Sequence, residues 1–488
     1  MSIKNSLLAV SSLLTLAACG GVGPDYVRPQ TAASAAAPFL STGKVAANAA
    51  APVTTTERAN DAGGEWWRLY QDPVLDRLVG EALTANKDIA VATANLARAR
   101  ALLRENRAGR LPQTQIGASG QYGQASAIRT APGADRENWT VDAGLSVSYE
   151  VDLFGRVGRS IQAARGDADA AAADLDAVRV TIAAETARAY ADASSSAERL
   201  DVATRTLGLL DQTAQLTEKR FQAGRTSRLD VSRAMALREQ QRATLAPLRA
   251  DRDAALFRLA TLTGRAPADL PADVGNRVTT LRLDRPIPIG DGRALLARRP
   301  DIRAAERRLA AETARIGVAT ADLYPRITLG GSIGSTGTSI GDIFGGGPLR
   351  WLLGPLLSWN FPNQETGRAR IQQAEASTQA ALATFDGTVL RALQETETGL
   401  SRYAHALERQ EALREAATQA RTAANISRAQ LREGRVDFLV VLDAERSSAT
   451  AEADLAEADA AVATAQVDLF RALGGGWQSA GDVKVAVR

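Results

Sequence analysis

The chain is written twice, and the second copy follows the first at a distance of about 210 residues. Arg110-Leu111-Pro112-Gln113-Thr114-Gln115-Ile116-Gly117 returns as Leu323-Tyr324-Pro325-Arg326-Ile327-Thr328-Leu329-Gly330. Gly158-Arg159 followed by Ile161-Gln162-Ala163 returns as Gly367-Arg368 followed by Ile371-Gln372-Gln373. Phe221-Gln222-Ala223-Gly224-Arg225 returns as Leu431-Arg432-Glu433-Gly434-Arg435, and Leu256-Phe257-Arg258 near Gly264 returns as Leu469-Phe470-Arg471 near Gly474. One match is easily accidental; four in the same order are not. The chain therefore holds two copies of one unit, 73–264 and 296–474, joined by the Pro-rich stretch 265–295. Each copy reads as helix, two strands, long helix, glycine turn, long helix.

The strands are marked by alternation. In 139–153 the odd places hold Val141, Ala143, Leu145, Val147, Tyr149, Val151 and Leu153, and the even places between them are polar or glycine. Period two puts apolar side chains on one face and polar ones on the other. The partner run, about 113–124, sets Ile116, Ala118 and Tyr122 against Gln115, Ser119 and Gln121. In the second copy Ile327, Leu329 and Ile333 alternate within 326–335. Leu349, Trp351, Leu353, Pro355, Leu357, Trp359 and Phe361 take every second place of 349–361. A soluble sheet with one wet face would alternate in the same way. Aromatic ends (Trp139, Tyr149, Trp351, Trp359) and long Gly/Ser/Pro-rich connections at 124–138 and 335–348 favour transmembrane strands with surface loops. Closed outer-membrane barrels begin at about 8 strands, and an open edge in lipid leaves backbone groups unpaired. Four strands must therefore be completed by other copies. Two copies would give eight strands and three would give twelve.

The helices are unusually long. No proline falls between Gly158 and Gly224 or between Gly367 and Gly434, so each stretch can run as one helix of roughly 100 Å at 1.5 Å per residue. Val389, Leu393, Thr396, Leu400, Tyr403 and Leu407 recur at coiled-coil spacing, as do Leu200, Leu207, Leu210, Ala214 and Phe221. Such a stripe buries one face against a neighbouring helix and leaves the charged faces wet.

Residues 1–18 read as a signal peptide: Lys4, an apolar stretch from Leu7 to Leu16, then small residues before Cys19. A cysteine in that place resembles a lipobox, which implies lipid on Cys19, and Gly20 after it favours the outer membrane. An ordinary secretory signal with a chance cysteine is the alternative. Residues 19–72 then form a lipid-anchored linker, and 475–488 a C-terminal tail. One cysteine and one histidine, His405, exclude disulfides, thiolate metal sites and His-rich metal sites. The 58 basic and 55 acidic residues are interleaved, which leaves no patch for nucleic acid. No phosphate loop, zinc pattern or nucleophile–histidine arrangement supports an enzyme.

Several motifs carry a family resemblance across nearly the whole mature chain. Gly23-Pro24-Asp25-Tyr26 with Pro29, and Trp66-Trp67-Arg68-Leu69-Tyr70-Gln71-Asp72-Pro73, resemble the outer membrane factor, or TolC-like, family. So do Arg299-Pro300-Asp301-Ile302-Arg303-Ala304-Ala305-Glu306 and the closing Ala472-Leu473-Gly474-Gly475-Gly476-Trp477. The likeness is to its lipoprotein branch, the channels of resistance-nodulation-division efflux pumps. It implies a mainly α chain with a transmembrane β-barrel: a homotrimer with a shared twelve-stranded barrel and hairpins forming a periplasmic α-barrel. It also implies a lipid-anchored place in the outer membrane and docking to a periplasmic adaptor that leads to an inner-membrane transporter. No cofactor, metal or catalytic residue is implied.

By the same resemblance the hairpin ends at Gly224, Arg225, Gly434 and Arg435 are the closed tip and the adaptor's docking site. The family's aperture aspartate falls on Asp443 and the leucine four residues earlier on Leu439, while Asp230 matches the aspartate side of a lock. Relatives carry Arg-Tyr before the second turn where this chain has Gln430-Leu431. Either Arg428 or Arg432 replaces the missing arginine, or the lock is weaker. An isolated Asp443–Arg446 surface pair is the simpler reading of that aspartate. Two other functions compete: a periplasmic adaptor lipoprotein, which would have one hairpin and soluble β domains, and a TolC-like duct for protein secretion. The cargo is not legible.

Overall fold

The computed structural model describes residues 21–30, 32–43, 64–126, 128, 133, 135–283, 287–344, 349–362 and 364–475. Cys19, the signal peptide, most of the 31–62 stretch, Gly476, Trp477 and most of the tail lie outside them. The described residues gather into two compact units. One takes the chain up to Pro29 with Asn95–Ala172 and Ala304–Asp386, and the other takes Gln30–Ala94, Ala173–Arg303 and the chain from Gly387 onward.

The first unit is built on an antiparallel sheet in sequential order: β1 (Gln113–Gln124), β2 (Glu137–Val151), β3 (Arg326–Gly337) and β4 (Leu349–Ser358). Register fixes the faces, because directly paired residues share one. Ile116 pairs with Leu145 and Leu145 with Ile333, on the apolar face. Gln115 pairs with Ser146 and Ser146 with Ser332, on the polar face. β1 and β4 are both edges, and Ile116, Trp351, Leu353 and Leu357 stand exposed.

Four strand ends differ from the expected 139–153, 326–335 and 349–361: β2 begins at Glu137, β3 runs on to Gly337, and β2 and β4 both stop early. β2 stops at Val151 because Asp152 is diverted to cap the next helix, taking the Val157 and Gly158 N–H groups at 2.9 and 2.7 Å. β4 stops at Ser358, where the Trp359 indole donates to the Leu323 carbonyl at 3.0 Å and its ring stacks on Phe361. Alternation in β4 is also incomplete. Leu352 and Leu356 lie on the polar face, opposite Ser332 and Thr328.

The helix before each strand pair is itself a pair. In the first copy α1 (Pro73–Ala85) and α2 (Lys87–Ala108) break at Asn86, whose side chain accepts from the Asp88 and Ile89 N–H groups and donates to the Leu262 carbonyl. The hairpin that follows consists of α3 (Arg156–Gln222), then α4 (Arg228–Ala243) and α5 (Leu245–Leu262). The returning helix is thus two rather than one, since Pro247 has no N–H to give the last turn of α4. In the second copy α6 (Gly292–Arg298) and α7 (Pro300–Ala321) precede β3. The hairpin is α8 (Glu365–Arg432) and an unbroken α9 (Phe438–Ala472). The seam expected along α8 is buried at Val389, Thr396, Leu400, Tyr403 and Leu407.

Trp66, Asp72 and Asp25 are held in structural contacts. Trp66 is buried and stacks on Phe470 at 4.7 Å. Asp72 caps α1 with one oxygen and meets Arg277 and the Tyr190 hydroxyl with the other, at 2.7 and 3.1 Å. In the first unit Arg159 holds the N-terminal segment, pairing with Asp25 at 2.7 Å and donating to the Val22 and Gly23 carbonyls.

Candidate functional site

Both hairpin turns are built by one device. The Arg225 N–H reaches the Arg220 carbonyl at 2.8 Å and the Gly224 N–H reaches Phe221 at 2.8 Å; Arg435 to Gln430 and Gly434 to Leu431 repeat it at 2.9 and 3.1 Å. This six-to-one, five-to-two pattern closes a helix only if its hinge residue takes a left-handed conformation, and Gly224 and Gly434 have φ of +69° and +74°. Gln430 thus serves through its carbonyl, and Leu431 is buried. Arg225 and Arg435 are exposed, the latter beside Glu433 at 3.0 Å.

After the first turn Asp230 is a capping residue. Its carboxylate accepts from the Ser227 and Thr226 hydroxyls at 2.7 and 2.8 Å, while its N–H donates to the Ser227 hydroxyl. Those donors, Ser227 first, hold its carboxyl below the usual range. Among the described residues neither Arg428 nor Arg432 pairs with it: Arg428 turns instead to Asn425 at 2.8 Å and stands 3.8 Å from Glu445.

After the second turn Phe438 opens α9. Val441 and Glu445 point into the helix packing, and Leu439 and Asp443, one helical turn apart, point out. Leu439 is 54% exposed. Asp443 pairs with Arg446 at 2.7 Å, both side chains about two-thirds exposed. Leu439, Asp443 and Arg446 therefore form one outward ladder, and within one chain the aspartate's partner lies on its own helix.

Between the two hairpins lies a cleft of about 610 Å³ lined by Thr213, Arg220 and Arg225 on one side and Arg428, Arg432 and Val441 on the other. Against this cleft sits Glu445, which the sequence reading passed over. One carboxylate oxygen accepts from the Thr213 hydroxyl at 2.8 Å, and the other is buried with no hydrogen-bond partner among the described residues. Desolvation pushes its carboxyl above the usual range against the pull of Thr213 and Arg428. The sequence offers only its spacing, four residues after Val441, which marks an inward stripe once the burial of Val441 is known.

Comparison with known proteins shows the family of the whole chain. The model of a family described as outer membrane efflux protein matches residues 78–265 and again 292–475, once for each repeat. Outer membrane protein OprJ of Pseudomonas aeruginosa is 32% identical, covering 97% of both chains. A probable outer membrane lipoprotein of Salmonella typhimurium, SilC, is 27% identical over 97% of this chain and 99% of its own. The solved structure of the outer-membrane channel OprN superposes with a TM-score of 0.85 at 38% identity, over 94% of this chain and 99% of that one.

Proposed function

The chain belongs to the outer membrane efflux protein family, and from that membership we propose that it is the outer-membrane exit duct of a tripartite pump for small toxic compounds. One observation carries the reading: a sheet with an apolar outer face and two free edges continues, in the same chain, into two long hairpins. The apolar face suits lipid, the free edges call for further copies, and three copies close a barrel of twelve strands. Helices α3 and α8 then line a periplasmic tunnel. The chain works with a periplasmic adaptor, docked near Gly224, Arg225, Gly434 and Arg435, and with an inner-membrane transporter.

Lipid on Cys19, itself outside the described residues, is part of the proposal. Gly21 lies against Gly155, where an added Cβ would come within 2.4 Å of the Gly21 Cα. That contact is at the corner between β2 and α3, beside the helical end of the sheet. Leu439 and Asp443 form the gate, with Asp230 bracing the neighbouring turn.

Deletion of the gene should sensitise the cell to small toxic compounds, and the intact gene should restore resistance. A version lacking residues 349–358 should not restore it. Wild-type sensitivity of the deletion strain across antibiotics, solvents and metal salts would count against efflux.

A further inference from the structure

On the polar face of the sheet, the charged side chains carried by the strands are Asp142, Glu150, Arg326 and Arg350. Glu150 and Arg326 stand at the end that continues into helices, where Glu150 meets Arg156 at 2.6 Å. Asp142 and Arg350 stand toward the other end, which the loops after β1 and β3 close. Between the two pairs the face holds serine, threonine, glycine, glutamine and the two leucines of β4.

Asp142 and Arg350 are two strands apart, about 9.6 Å at the usual strand spacing, yet they are joined. Arg350 Nη2 lies 2.7 and 2.6 Å from the two carboxylate oxygens and its Nε 3.2 Å from one of them. Thr336, on the strand between, donates to the same carboxylate at 2.7 Å and accepts from Arg350 Nε at 3.0 Å. The guanidinium can cross β3 because of the row it starts from. Gly334 is the cross-strand partner of Arg350, and Gly144 and Gly117 continue that row over β2 and β1. No side chain stands in the way. The row cannot easily be refilled either, since a Cβ on Gly334 would come within 2.6 Å of the Ala143 carbonyl oxygen.

An ion pair open to water adds little to stability, and Arg350 and Asp142 are 48% and 32% exposed. The pair's consequence is electrostatic. We propose that Arg350 is a selectivity residue of the duct: by covering Asp142 it keeps the exit half of the lumen free of net charge. Solutes of either sign then leave, and discrimination falls to the periplasmic end. The inference rests on reading the polar face as the lumen of a closed trimer, in which three such pairs ring the water path.

The test is the reversal potential of purified channels in planar bilayers under a KCl gradient, in a Leu439→Ala/Asp443→Ala parent so that the other carboxylate ring does not set the value. Arg350→Ala uncovers three carboxylates. It should raise the potassium-to-chloride permeability ratio roughly two- to fivefold at ~0.1 M salt and much less at ~1 M, where charges are screened within about 3 Å. Asp142→Asn should shift the ratio toward chloride, and Asp142→Arg/Arg350→Asp should return it to the parent's. Arg350→Cys gives a second reading on channels already assembled: a cationic thiol reagent should bring the potential back and an anionic one push it further. Conducting channels whose reversal potential stays put in every variant overturn the inference alone. A parent that assembles and never conducts overturns the duct reading and the inference with it.

Discussion

Glu445 places a buried carboxylate in the helix packing, with one oxygen bound to Thr213 and the other without a hydrogen-bond partner among the described residues. Its carboxyl is raised, chiefly by desolvation. A raised acid contributes stability that is full below its ordinary pKa and is lost as pH rises through the value it has in the folded protein. The hairpins should therefore melt at lower temperature at about pH 8 than at about pH 5, and Glu445→Gln should shrink that difference. A buried charged acceptor left unsatisfied costs at least about 1–3 kcal/mol, so the substitution should stabilise by about 1 kcal/mol at pH 8. Thermal unfolding followed by circular dichroism at both pH values decides it. A variant less stable than the parent throughout would show that Thr213 and Arg428 outweigh the desolvation. Residues of this kind are poorly legible in sequence. Asp443 and Glu445 are two places apart, and only the packing separates an outward acid from an inward one.

Elements were easier to read than residues, because periodicity repeats its message many times. All four strands came from period-two runs and both hairpin turns from lone glycines. The misses are where one side chain overrides a pattern: Asp152 ends β2 by capping α3, and Pro247 divides the returning helix into α4 and α5. In β4 the apolar residues on both faces, Leu352 and Leu353, made the odd places look decisive when register was needed. Those neighbours give a direct test of the faces. Leu353 pairs with Gly331 on the lipid side and Leu352 with Ser332 on the polar side. Arginine on the lipid face near mid-bilayer costs about 2–4 kcal/mol per strand, three times over in a trimer. Leu353→Arg should abolish heat-modifiable trimers in outer-membrane fractions, whereas Leu352→Arg should assemble at near wild-type levels. The reverse outcome would turn the sheet inside out.

For the whole molecule, duplication explains the four strands and two hairpins among the described residues: each repeat supplies two strands and one hairpin, and neither closes anything alone. The same logic bears on the gate. In one chain Asp443 merely pairs with Arg446, an exposed contact worth about 0–1 kcal/mol. Around a threefold axis three Leu439–Asp443 ladders would converge, giving an apolar ring and a carboxylate ring one helical turn apart. The two readings separate on single channels. If the pair is only a surface contact, Leu439→Ala/Asp443→Ala and Arg446→Ala leave conductance unchanged in planar bilayers. If the ladder rings the aperture, the double substitution widens it and removes its fixed charge, so conductance should rise several-fold and cation preference fall. Arg446→Ala alone keeps the leucine ring and uncovers the carboxylates. It should therefore strengthen cation preference while leaving conductance low, a combination that a general loosening of the hairpins would not produce.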